Sequence, residues 1–302
     1  MPPIRPRRNA GIALLVLIPL ALIATAAWTM SDRTPSSAKA STRPEPALAV
    51  LRARLPLNGL LHTPSDASRR VHKAEGQLVA SCMADRGFRY TPAPAAPEDD
   101  SGTGPALFGI ETLDRPDEAG AREPQPSERP QGEGFDRALY GDPDRKISAH
   151  NKVLRVSRPA TGCLAEAQTR LLGDGGRIRN LALRVQLDQG ERDSLQELDK
   201  DPAFRAVNTR WRACMARAGI TAETPGKLAG SLPPGTDVTT HPSVRADVEC
   251  KERTGYLERA YARLAAAQQH WLAANEKPRS EWTALRHRED QAARQVLAAG
   301  RS

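Results

Sequence analysis

Large aromatic side chains are scarce in this chain of 302 residues: four Trp, four Tyr and four Phe make up 4% of it. A core with so few rings is small and rests on aliphatic side chains. Pro (25) and Gly (22) are plentiful by contrast, and the balance reads as a helix-rich core with disordered stretches attached. Catalytic signatures are missing too. No G-x-S-x-G elbow, P-loop or G-x-G-x-x-G fingerprint occurs, so the common serine hydrolases, nucleotide hydrolases and dinucleotide enzymes find no support. The run Gly173-Asp174-Gly175-Gly176 lacks the Lys-Ser/Thr that a phosphate loop needs, and it reads as a helix breaker. Neither H-x-x-x-H nor H-E-x-x-H is formed by the six histidines, and no two cysteines form C-x-x-C, so zinc-binding spacings are absent. The densest carboxylates, Glu98, Asp99 and Asp100, fall in a polar stretch that cannot hold an acid–base pair rigidly. Trp211 and Trp271 sit at helical spacing and read as core. No catalytic, cofactor-binding or metal-ligating residue is assigned, no cofactor is implied, and the expectation is a protein that is not an enzyme.

Charge is uneven. The whole chain carries +8, whereas residues 93–146 hold 13 acidic and 6 basic side chains. Such asymmetry bears on solubility and loose electrostatic partners rather than on fold. No nucleic-acid motif accompanies it, so nucleic acid is not an expected partner.

The N-terminus follows an address-like pattern. Arg5, Arg7 and Arg8 form a basic region over residues 1–9, ahead of an uncharged run over 10–30, AGIALLVLIPLALIATAAWTM. As a helix that run spans about 31 Å, close to the roughly 30 Å of a hydrocarbon core. Trp28 suits the far interface. Two readings stay open: an uncleaved transmembrane anchor, or a signal peptide cut at Ala24-Thr25-Ala26. Either one exports the remainder. No Cys follows closely, so a lipoprotein signal is absent.

Four cysteines carry the rest of the case: Cys82, Cys163, Cys214 and Cys250. An even number in an exported chain reads as two disulfides, against the alternative of four buried thiols in a reducing compartment. Three pairings are possible. An internal echo favours one of them. Cys82-Met83-Ala84-Asp85-Arg86-Gly87-Phe88 resembles Cys214-Met215-Ala216-Arg217-Ala218-Gly219-Ile220, and each copy leads to Thr-Pro and later to a single Cys. A duplicated helix–loop–helix unit with pairs Cys82–Cys163 and Cys214–Cys250 is the simplest inference. Pairing leaves no spare thiol for a Cys–His hydrolase.

Along the chain, residues 31–64 read as a stalk, with a short helix over 46–61 of a kind that can pack on the domain. An exported helical domain over 65–300 follows, interrupted by an acidic, Pro-rich disordered insert at 93–134. Helices are expected over 66–86, 163–172, 177–199 and 202–218, with Asp201-Pro202 as an N-cap and N1 pair. An extended piece is expected over 147–156. From Pro242 one long helix runs to about residue 274, and Ser280 caps a last helix, so the C-terminal end reads as an αα-hairpin. The fold class is therefore mainly α: a transmembrane helix followed by a small, disulfide-stapled helical domain.

The set C-M-x-x-x-G-F (82–88), Gly162-Cys163, W-x-x-C-M-x-x-x-G (211–219) and D-V-x-C-K-x-x-T-G (247–255) resembles uncharacterised exported, membrane-anchored proteins of actinomycete type. The resemblance covers about two thirds of the chain. It implies export and paired cysteines and adds no catalytic residue. The expected role is a single-pass membrane protein, its C-terminal domain extracytoplasmic, that binds an envelope protein partner. The alternative is a wall-polymer binder or wall-active hydrolase.

Overall fold

The structure, a computed structural model, describes residues 48–92, 106–113 and 132–300. The basic region and the apolar run at 10–30 lie outside the described residues, and among the latter no helix is long and apolar enough to cross a membrane. Two short helices open the described chain, α1 (Leu48–Ala53) and α2 (Pro56–Leu61). Their Leu residues recur on one side, and Leu51 and Leu57 are fully buried. The segment 48–61, expected at the end of the stalk as a short helix able to pack on the domain, is packed into it, because that apolar stripe has a core to enter.

Next comes α3 (Asp66–Asp85), started by a reciprocal capping box in which Ser68 N–H donates to Ser65 and Ser65 N–H donates to Ser68. After residues 106–113 the chain continues through α4 (Glu133–Tyr140), an antiparallel hairpin of β1 (Lys146–His150) and β2 (Arg155–Pro159), α5 (Cys163–Leu172) and α6 (Gly176–Lys200). It ends with α7 (Pro202–Arg217), α8 (Pro225–Gly230), α9 (Pro242–Thr254), α10 (Tyr256–Ala274) and α11 (Glu276–Ala299). Among the described residues the fold is mainly helical, as expected, and the one hairpin falls where extended chain was expected.

Long and central, α6 is buried on two sides. Leu183 and Leu187 face Leu57, Leu272, Trp282 and Leu285, while Leu181 and Val185 cover Ala149 of the hairpin. Its Gly190 lets α10 come close: a Cβ there would stand 2.7 Å from the Trp271 ring. A second cluster surrounds Trp211 and joins α1, α7, α9 and α10 to residues 106–113.

Three expectations need correction. The insert at 93–134 is not wholly outside the core, since Phe108 and Glu111 are buried against α10. The long C-terminal helix breaks at Gly255, which adopts the left-handed conformation (φ 57°) and caps α9. Last, α11 starts at Glu276, so Ser280 lies inside it, and α11 packs chiefly along α3, α5 and α6 instead of folding back on α10. The expected αα-hairpin is thus a turn between helices that part. Ala74 of α3 and Ala293 of α11, both fully buried, let these two helices come close, and Leu171 of α5 packs against them.

Both disulfides join the pairs that the echo suggested, Cys82–Cys163 and Cys214–Cys250, with Cα atoms 5.6 and 5.7 Å apart. No free cysteine is present. The echo itself is a helix stop. Phe88 N–H returns to the Met83 carbonyl and Gly87 N–H to that of Ala84; Ile220 and Gly219 repeat this with Met215 and Ala216. Gly87 (φ 81°) and Gly219 (φ 74°) supply the left-handed residue that such a stop requires. Likeness ends there. Cys163 is the first residue of α5, whereas Cys250 lies well inside α9.

Candidate functional site

Two constellations of polar side chains stand out, and only one of them is open to solvent. The closed one surrounds residues 106–113. Lys251 and Asp247, one turn apart on α9, form a 2.7 Å ion pair with both side chains 1% exposed. Asp247 also accepts from Trp211 Nε1 at 2.9 Å, and Lys251 Nζ donates to the Ile110 carbonyl at 2.5 Å. Glu111 accepts from Arg52 at 2.7 Å, from Tyr261 at 2.9 Å, and from its own Leu107 and Phe108 N–H groups at 3.0 Å. Burial pushes the Asp247 carboxyl above its ordinary range despite Lys251, and burial raises the Tyr261 phenol strongly. Every one of these groups has a partner, so the network works as a clasp on the chain rather than as a site for a ligand.

Two of the motifs that carry the resemblance, those at 211–219 and 247–255, fall on this clasp, while those at 82–88 and 162–163 meet at the other disulfide. Trp211, Cys214, Asp247, Cys250 and Lys251 form one buried patch joining α7 to α9. Trp211, read as core, is fully buried; Trp271 is half-buried over Gly190, its indole donating to Asp193 at 3.3 Å. Gly175 and Gly176 lie where α5 gives way to α6, as a helix breaker should. Glu98, Asp99 and Asp100 lie outside the described residues.

The open constellation is a cleft of about 490 Å³ between the α2–α3 connection, α6 and α11. Such a volume suits a side-chain cluster or a small organic ligand. Trp282, Leu60, Leu61 and Val71 give it apolar walls, and Thr63, Ser68 and Thr283 line its rim. Arg286 lies over the Trp282 ring, its guanidinium carbon 4.5 Å from the centroid. That guanidinium donates to Asn180 at 2.7 Å and pairs with Glu289 at 2.7 Å, while its buried Nε has no partner among the described residues. Arg184 reaches the same cleft, held by Asp188 at 2.8 Å and by the Leu61 carbonyl at 3.2 Å.

Burial pulls the Arg286 guanidinium below its ordinary range, with Arg184 adding to the effect and Glu289 opposing it. Burial pushes Glu289 above the usual carboxylate range; Arg286 opposes this and Glu75, which also lines the cleft, reinforces it. Arg286 keeps 36% of its side chain exposed while stacked on the indole and paired with Glu289, and that cationic surface suits a carboxylate attached to an apolar group. Nothing in the sequence singled out Arg184, Arg286, Glu289 or Glu75. Arg-x-x-Glu is ordinary on a helix, and the cleft is assembled from residues more than 200 positions apart.

Among the described residues no cluster of His, Cys, Asp or Glu is placed to hold a metal ion. Comparison with protein-family models, with curated proteins and with solved structures finds no match for this chain.

Proposed function

We propose that this chain is a non-enzymatic binding protein of the cell envelope, anchored through residues 10–30 and presenting its helical domain outside the cytoplasm. Two disulfides support the location, since such bonds persist where oxidants prevail. The cleft beside Trp282 carries the binding assignment. Its ligand is a protein segment that places an acidic and an apolar side chain together, the first against Arg286 and Arg184 and the second on Leu60, Leu61 and Val71. A photo-crosslinking residue at exposed Thr283, in the full chain within its native envelope, tests this. One discrete adduct at Thr283, absent when the same probe stands at Thr240, is the expected result. Equal patterns at both positions sink the assignment.

A wall-directed reading has one observation in its favour: Glu289, held above the usual carboxylate range, shares the cleft with Glu75. Two carboxyls in one cleft, one of them raised above the ordinary range, are the kind of pair that glycoside cleavage employs. Incubation of the full chain with purified walls separates the two readings. Loss of turbidity that Glu289→Gln abolishes would establish the hydrolase and displace the partner protein. Unchanged walls without co-sedimentation remove the wall reading.

A further inference from the structure

The tip of the β-hairpin exposes two aliphatic side chains side by side, Val153 at 72% and Leu154 at 43%. A lone exposed aliphatic needs no explanation; this pair is held out by a rigid turn. Asn151 Oδ1 accepts from the Val153 and Leu154 N–H groups at 2.9 and 2.8 Å, and the Asn151 N–H closes onto the Leu154 carbonyl at 2.9 Å. Asn151 Nδ2 ties the turn to the body through the Val185 carbonyl at 3.0 Å. One face of the hairpin is spent on α6 through Ala149, Ile147 and Val156, so the tip projects past the packed part.

Around the tip the charge is of one sign. Lys152 and Arg155 flank Val153 and Leu154 directly, and Arg158, Lys146 and Arg145 follow down the strands, all exposed. The nearest acids along the chain, Asp142 and Asp144, stand at the opposite end of the hairpin, and Asp188 on α6 is tied to Arg184.

We infer that this tip is a membrane-contact element that seats on a bilayer with anionic headgroups. Val153 and Leu154 enter the boundary between headgroups and acyl chains, and Lys152 and Arg155 meet the phosphates. The arrangement follows the rule for interfacial segments, in which apolar contact and basic charge act together while long basic side chains keep their heads in the polar layer. A soluble polyanion of the wall would use the cations and leave the aliphatic pair idle, so a lipid surface is the occupant that accounts for both. The turn is fixed in advance by Asn151, and binding therefore orders little chain. This inference rests on the anchored, envelope reading only for the membrane being within reach.

The test uses the full chain carrying Val153→Cys, with a polarity-sensitive fluorophore on the new thiol, mixed with vesicles of phosphatidylcholine alone or containing phosphatidylglycerol. Expected is a blue shift in emission with the anionic vesicles, lost in the Lys152→Glu/Arg155→Glu background and at high salt, and absent from a label at Thr240→Cys. An emission that stays at its aqueous position in anionic vesicles overturns the inference. So does an equal shift with purified wall polymer or an added protein fraction in place of lipid. Flotation on neutral vesicles reports separately whether residues 10–30 anchor the chain, so failure of the anchor and failure of the hairpin contact are told apart.

Discussion

Lys251 and Asp247 stand one turn apart, both buried, with Trp211 and the Ile110 carbonyl completing their hydrogen bonds. A buried charge pair adds little net stability, yet loss of one member strands the other. Lys251→Met is therefore expected to cost about 3–5 kcal/mol in urea unfolding. That cost depends on pH in a definite direction. Asp247 without Lys251 is raised further, so the folded form holds the proton more tightly than the unfolded one. The penalty is full above that raised value and shrinks as pH falls through it towards the ordinary carboxylate range. Asp290 has the opposite sign. Hydrogen bonds from Arg70 (2.7 Å) and then Arg294 hold its carboxyl below the ordinary range, with burial opposing them. Its contribution is present above the unfolded value and is lost as pH falls through the lowered one. Asp290→Asn should melt below the parent at pH 7, and the gap should close on acidification below about pH 4, by thermal unfolding followed by circular dichroism.

Elements are punctuated by a few residues whose conformational demands are local. The stops after Met83 and Met215 need a left-handed residue, and a Cβ at Gly87 or Gly219 would meet no atom within 4 Å. Gly87→Ala and Gly219→Ala should each cost about 1 kcal/mol from backbone strain alone, without loss of the disulfides. Equal costs at the two sites, read from denaturant midpoints, are expected because the hydrogen bonds repeat; a severe cost at only one of them would mean that the two stops are not equivalent. The helix starts at Asp66, Pro202 and Pro242 were legible in the sequence for the same local reason: Ser65 and Asp201 accept their N-terminal N–H groups, and Pro fits N1. The start of α11 was not legible. Ser280 is a good capping residue, but the helix already begins at Glu276, where Pro278 in its first turn loses no hydrogen bond.

The whole molecule is held by two covalent links that close loops of 81 and 36 residues. Loop closure in the unfolded chain accounts for roughly 4 kcal/mol for each bond, a large part of what a domain typically has. Cys82→Ser/Cys163→Ser and Cys214→Ser/Cys250→Ser should each lower the unfolding free energy, read from urea titration, by an amount near that figure. The second pair should lose more, since Cys214 and Cys250 lie within the cluster around Trp211. A midpoint untouched by reductant would show that the links carry no load.

What the sequence determined by itself is the set of features written in adjacent residues: helical periodicity, caps, stops, and the repeated Cys-Met-x-x-x-Gly that pointed to the cysteine pairing. Each of these depends on the backbone within one or two turns, where residue type and conformation are tightly coupled. Tertiary structure alone decided that 48–61 and 106–113 belong to the core, that α11 lies on α3, and that Arg286, Trp282 and Glu289 share a cleft with the α2–α3 connection. Those outcomes turn on which apolar stripe finds a complementary surface far along the chain. Ser65 announces its helix to its neighbours; Phe108 enters the core only because Phe204, Tyr256 and Tyr261 stand ready around it.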